Sequence, residues 1–378
     1  MQNEQMRNKR LDVLRCVAVV TVLLHHSGIS PFFTRAGWTG VDLFFVLSGF
    51  LISGLLFSEY KKRHVISLKR FFIRRGLKIY PAFYIFILLT GIAAQLVFHT
   101  HSTLVQYLHE LFFLMDYKQG IWDHTWTLAV EEQFYIFLPI FLLVILRFSD
   151  KRENPFRVIP FAAIAIALFC VISRAASIYI GPPNFQVAYI ASHNRADSLF
   201  SGVLVGYLYH FRPPILENLM RSTRNCVAIA VVSAMLLSFA YFYDRDSKVF
   251  ATVGYSLIYL GFTGILLLSL YVHGLFAGKL ARLIELVGSA AAFVGVYSYS
   301  IYLWHGPVGA WLPGLMRRTL GFPTGKSGRF VVYFLGSLGI GVLMSKLVEY
   351  PILRLRDRIF PDSNIAPVAA HVGTRNDC

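Results

Sequence analysis

The sequence predicts an all-α fold: a polytopic integral-membrane bundle of about ten transmembrane helices with both termini cytoplasmic. Three observations carry that expectation. Of the 378 residues, 56% are hydrophobic and only 15% are charged, whereas a soluble domain carries about 25% charged residues. The apolar residues come in runs of about 18 to 23 with almost no charges, the length needed to cross a hydrocarbon core of roughly 30 Å. Lys and Arg are also shared unevenly between the segments that join those runs.

Ten runs read as spans: 11–29, 38–58, 77–98, 129–147, 158–179, 195–211, 225–243, 249–271, 287–311 and 329–349. Only helices suit them, because unpaired backbone groups in lipid are costly and barrel strands are shorter. The N-terminus and segments 59–76, 147–157, 211–224, 272–286 and 350–358 together hold 22 Lys and Arg. The alternate segments 30–37, 99–128, 180–194, 244–248 and 312–328 hold 7. The richer set is cytoplasmic by the positive-inside rule, and an even number of spans places both termini there. Arg7, Lys9 and Arg10 ahead of the first run imitate a signal peptide. No small-residue cleavage site follows and further spans do, so that run is read as the first helix.

No internal repeat is visible. Residues 1–360 form one membrane-embedded domain in this reading, and 361–378 a short polar cytoplasmic tail without order. The net charge of +16 would suit nucleic acid, but its placement between apolar runs is what orients a membrane protein. No nucleic-acid partner is expected. Cys16, Cys170, Cys226 and Cys378 make no CxxC pair, so neither a disulfide framework nor a cysteine metal site is expected.

Ionisable groups inside a span cost several kcal/mol unless paired or wet, which makes each a functional candidate. By predicted depth they fall into two layers. Near the outer ends lie His26, Asp42, Glu131, Glu132, Arg195, Asp197 and His305. Near the inner ends lie Arg15, Arg75, Lys78, Lys346 and Glu349. A histidine beside a carboxylate can act as general base on a hydroxyl, and a cationic layer suits a phosphate-rich cofactor. Arg15 and His26 are separated by about 16 Å along one helix, which fits the length of a pantetheine arm. Blander readings stand beside these. Arg15, Lys78 and Lys346 also fit snorkelling topology residues. Asp42, Glu131 and Arg195 also fit a structural ion network, and His305 beside Trp304 an interfacial anchor.

Other signals are set aside. Gly-Phe-Pro-Thr-Gly-Lys-Ser at 321–327 has one residue too few between its glycines for a P-loop. His99, His101, His109 and His124 share one outer segment but have no recognisable ligand spacing, so they read as interfacial and no metal is expected. No GxSxG elbow is present.

Seven segments in order resemble the acyltransferase-3 family of bacterial membrane O-acyltransferases. They are RLDVLRCVAVVTVLLHH at 10–26, GVDLFFVLSGFLISG at 40–54, RRGLKIYP at 74–81, WTLAVEEQFYIFLP at 126–139, RADSLFSGVLVG at 195–206, YSYSIYLWH at 297–305 and VEYP at 348–351. The family's arginine and histidine, ten residues between them, fall on Arg15 and His26 rather than His25. Its RxxR falls on Arg75 and Lys78, which keeps the charge but not the second guanidinium fork. Its VExQFY glutamate falls on Glu131. Some members add a periplasmic esterase-like domain, and this chain reads as the standalone form.

The resemblance implies a bacterial inner-membrane enzyme that uses acetyl-CoA or another acyl-CoA. The acyl group would pass to a hydroxyl of a surface or exported glycan, a glycolipid or a glycosylated small molecule. Arg15, Arg75, Lys78 and Glu349 are expected to hold the donor. His26 is expected as general base, with Asp42 or Glu131 orienting its ring and Arg195, Asp197 and His305 completing the catalytic set. The rival readings are a transporter or flippase of a polysaccharide precursor and a purely structural scaffold. A transporter built as two related halves would show paired, interrupted half-spans, and none is seen.

Overall fold

Asn8 accepts a hydrogen bond from the Arg10 N–H and so caps the first helix. From there the computed structural model is helical throughout. It describes residues 8–98, 102–149, 154–272, 278–321 and 325–360, and the expected tail at 361–378 lies outside them. In chain order the helices are α1 (Lys9–Ser27), α2 (Pro31–Ala36), α3 (Gly40–Arg63), α4 (Leu68–Leu96), α5 (Leu104–Leu111), α6 (Trp126–Arg147), α7 (Ile159–Tyr179) and α8 (Phe185–Ile190). There follow α9 (Ser192–Phe211), α10 (Pro213–Arg221), α11 (Thr223–Phe242), α12 (Tyr255–Tyr271), α13 (Gly278–Val296), α14 (Ser298–Leu320), α15 (Lys326–Met344) and α16 (Tyr350–Ile359). No strand occurs among the described residues.

Each of the ten predicted runs falls on helix. Seven stretches of described helix are long and apolar enough to cross a membrane, and α13 with α14 makes an eighth if counted as one broken span. The run at 287–311 was expected to be continuous. Instead α13 and α14 meet at a 69° bend around Tyr297. α1 and α9 fall short of the apolar criterion because they carry charges inward: Asp12, Arg195 and Asp197 are all buried.

α3 is among the most enclosed spans and α11 among the most exposed, so the core lies around α3. Its closest neighbour is α9. A Cβ on Gly202 would fall 2.1 Å from the Val46 carbonyl oxygen, so glycine is what lets the two backbones approach. Small residues serve this purpose between membrane helices, where lipid offers no hydrophobic drive to association.

Candidate active site

Two irregular turns build one cavity. The bend at Tyr297 leaves Val296, Ser298 and Tyr299 on its wall, and a π-helical turn over Ser345–Glu349 brings in Glu349. Irregular helix at membrane depth is tolerated where it lines a cavity, and π turns recur at functional sites. The cavity, about 110 Å³, is also lined by Arg15, Ser48, Arg75, Lys78, Glu131, Glu132, Tyr135 and Tyr302.

The two predicted layers therefore need correcting. Glu131 and Glu132 were placed outside and the cations inside, yet they face one another. The reason is helix length. α4 starts at Leu68 rather than 77, and α6 at Trp126 rather than 129, so Arg75, Lys78 and Glu131 all lie well inside their helices. Arg15, Arg75 and Lys78 meet Glu131, Glu132 and Glu349, and the cavity is charge-balanced rather than mainly cationic. Ser48 donates to Glu131, Tyr135 donates to Ser48 at 3.2 Å, and Ser300 donates to Glu349. The Arg75 guanidinium lies 4.2 Å over the Tyr135 ring, and its Nε is buried without a hydrogen-bond partner among the described residues. Lys346 is exposed and does not line the cavity, as a topology residue would be.

Tyr302 closes one side of this cavity. Its ring centroid is 5.2 Å from that of His305 and 5.8 Å from that of His124. Its hydroxyl accepts from Thr127 at 2.8 Å and donates to the His124 carbonyl oxygen at 2.9 Å. His305 in turn lies 5.0 Å from His26 and 4.6 Å from His124 between ring centroids. Beyond this wall is a second pocket of about 480 Å³, lined by His26, Gly309, Lys326, Arg329 and Tyr333.

Carbonyl oxygens only accept, so they fix each ring's tautomer. His26 Nδ1 faces the Val22 carbonyl oxygen at 3.0 Å and must carry the proton, which leaves Nε2 bare. His305 Nδ1 donates to the Tyr302 carbonyl oxygen, and its Nε2 is buried and unpartnered among the described residues. His124 Nε2 donates to the Leu303 carbonyl oxygen at 3.0 Å. His25 is turned toward α2, where its Nδ1 donates to the Thr34 carbonyl oxygen at 2.7 Å.

His124 was missed. The spacing groups it with interfacial histidines, but it is buried in the cluster, whereas His109 is half-buried and donates to the Gln119 carbonyl oxygen. His99 and His101 lie outside the described residues. One signal was available in Gly306, where a Cβ would fall 2.4 Å from the His124 ring; His305 and Gly306 are adjacent because α14 must approach that ring. Among the described residues, no group of three or more His, Cys, Asp or Glu could hold a metal ion.

A family model described as an acyltransferase domain matches residues 8–346. The chain belongs to the acyltransferase-3 family. Peptidoglycan O-acetyltransferase OatA of Listeria monocytogenes is 25% identical over 318 residues, 79% of this chain and 49% of that protein. O-acetyltransferase OatA of Staphylococcus aureus is 26% identical over 319 residues, 79% of this chain and 50% of that protein. The chain thus spans about half the length of these relatives. No solved structure matches it. The family and the long apolar helices make it a multi-pass membrane protein of that family.

Six of the segments that resemble acyltransferase-3 proteins converge on the two cavities and the wall between them. They bring Arg15 and His26, Ser48, Arg75 and Lys78, Glu131, Tyr302 and His305, and Glu349. The segments at 40–54 and 195–206 together also build a separate buried network. Asp42 pairs with Arg195 at 2.5 Å, and Asp197 with Arg174 at 2.9 Å. Arg174, not anticipated, also donates to the Asn194 and Thr252 carbonyl oxygens and to Ser256. This network ties α3, α7, α9 and α12 together, and none of Asp42, Arg195 and Asp197 lines either cavity. The expected carboxylate partner of His26 is replaced by the Val22 carbonyl one turn back, because Asp42 is engaged by Arg195 and Glu131 by Ser48.

Proposed function

We propose that this protein moves an acetyl or other acyl group from cytoplasmic acyl-CoA to a hydroxyl of a surface or exported glycan, at a bacterial inner membrane, with His26 as general base. The observation that carries this reading is the wall of Tyr302, His305 and His26, with one cavity on each side.

The charge-balanced cavity suits the donor. Arg15, Arg75 and Lys78 would hold phosphates, and the buried, unpartnered Arg75 Nε supplies an N–H that such a ligand would satisfy. Glu131, Glu132 and Glu349 would accept from the amide N–H groups of a pantetheine arm, which a purely cationic channel would not do. On the other side, the bare Nε2 of His26 takes the proton from an acceptor hydroxyl. The hydroxyl oxygen attacks the thioester carbonyl, the C–S bond breaks, and the CoA thiolate leaves and takes up the proton from His26. The ester is the product. The buried Asp42–Arg195 and Arg174–Asp197 pairs hold the helices and do not take part.

The test is release of free CoA thiol from acetyl-CoA by the purified protein without acceptor. Slow release is expected, because water can replace the hydroxyl. A protein that binds acetyl-CoA and releases none would refute the reading.

A further inference from the structure

We infer that the pocket on the far side of His26 is an acceptor subsite built for an anionic sugar, one that carries a carboxylate or phosphate near the hydroxyl to be acylated. This rests on the proposed function for the meaning of "acceptor", but its evidence is separate.

The first observation is charge. Among the described residues, the pocket is lined by Lys326 and Arg329 and by no carboxylate. Both cations are exposed, and neither is in an ion pair with a described residue. The cavity on the other side of the wall matches its three cations with three carboxylates. A pair uncompensated among the described residues, beside the candidate base, therefore suits an anionic ligand. A neutral glycan would need no such pair.

The second observation is placement. Lys326 and Arg329 lie one turn apart at the start of α15. That end has no side-chain cap and no acidic residue in its first turn, so its free N–H groups and the helix dipole add to the attraction for an anion. In the predicted topology this segment faces outward, where Lys and Arg are sparse. Topology thus gives no reason for Lys326.

The third observation points to a ligand directly. Tyr333 lies one further turn along α15 and lines the same pocket. It is only 5% exposed, and its hydroxyl is buried with no hydrogen-bond partner among the described residues. Buried hydroxyls are ordinarily paired. A sugar hydroxyl or ring oxygen would supply the missing partner. The anion would rest on Lys326 and Arg329, the Tyr333 hydroxyl would bond the ring, and a neighbouring hydroxyl would face His26 Nε2.

The test uses the full chain in phosphatidylcholine nanodiscs with two probes of the same length and the same hydroxyls: tetragalacturonate and its fully methyl-esterified form. The acid is expected to bind about 10-fold or more tightly than the ester. K326A/R329A should lose that preference, while R35A/K248A, which removes two exposed outer charges elsewhere, should keep it. K326Q and R329Q singly cover the case in which the double variant does not fold, and each should weaken the preference. Equal binding of acid and ester, or a preference unchanged in the variants, overturns the proposal. A preference that disappears when phosphatidylglycerol replaces phosphatidylcholine assigns the pair to lipid phosphate and also overturns it. Acetyl-CoA hydrolysis by the same preparation reports on the proposed function separately. Hydrolysis without acid preference refutes the subsite alone, and acid preference without hydrolysis refutes the transfer reading alone.

Discussion

Replacing Gly202 by alanine places a methyl group against backbone rather than against a side chain that can swing away. The new Cβ would fall 2.1 Å from the Val46 carbonyl oxygen and 2.6 Å from the Phe50 nitrogen. Ordinary contact needs about 3.4 Å, so α9 must withdraw from α3 by about 1.3 Å. Moved as a body, that shift would stretch the buried Asp42–Arg195 contact from 2.5 Å to about 3.8 Å, beyond hydrogen-bonding range. Overpacking alone costs about 1–3 kcal/mol, and loss of the short hydrogen bond inside the buried pair adds about 1–3 kcal/mol. Gly202→Ala is therefore expected to lower the thermal midpoint of the detergent-solubilised protein sharply. Size-exclusion chromatography after heating measures it. A variant with the wild-type midpoint would refute the close backbone crossing as a source of stability.

Further predictions follow from other parts of the structure. Arg75→Ala should weaken acetyl-CoA binding by about 10- to 100-fold, the size of a lost charge-assisted hydrogen bond, while Lys78→Arg is tolerated; a titration with unchanged affinity in Arg75→Ala would argue against a donor role. Glu110 accepts from the Ile121 and Trp122 N–H groups and the Thr125 hydroxyl, but burial outweighs these donors and pushes its carboxyl up to about 7. A raised carboxyl pKa stabilises the fold below the ordinary glutamate value and loses that contribution as pH rises through about 7. The wild-type midpoint should thus fall from pH 5 to pH 8 more than that of Glu110→Gln, and equal slopes would reject this. In a cysteine-free background, a cysteine at Val65 should be labelled only from the cytoplasm and one at Lys118 only from outside; the reverse would invert the proposed topology.

The helical bundle was legible because apolar runs of bilayer length admit little else, and each run fell on a helix. Depth was less legible. The start of α4, Leu-Lys-Arg-Phe-Phe-Ile-Arg-Arg, is too charged to count as a span, yet Ser67 caps it and it continues the same helix. Hydropathy therefore placed Arg75 and Lys78 at an edge, when the structure puts them in the cavity opposite Glu131. The bend at Tyr297 has Gly295 two residues before it, a sign that reading 287–311 as one continuous run passes over. Pro307, which looks like a breaker, lies inside α14. Arg15, His26 and His305 were found through motif spacing and intramembrane cost. His124 shares its segment with three other histidines, and nothing in their spacing sets it apart. Asp42, Arg195 and Asp197 all carry the cost of intramembrane charge, but cost alone does not separate a buried network from a reactive site; the partner does, and Arg174 completes this network from inside an apolar run.

The most direct measurement compares two adjacent histidines. Neighbours on a helix point about 100° apart, and the structure turns His25 to the Thr34 carbonyl and His26 to His305 and the outer pocket. Acyl transfer should be measured with labelled acetyl-CoA and an acceptor glycan, at matched protein levels, for His26→Ala and His25→Ala. The account predicts that His26→Ala loses about 10²- to 10⁴-fold in rate, the usual cost of removing a general base, and that His25→Ala keeps most of its activity. The opposite ranking, or two equally active variants, would contradict it.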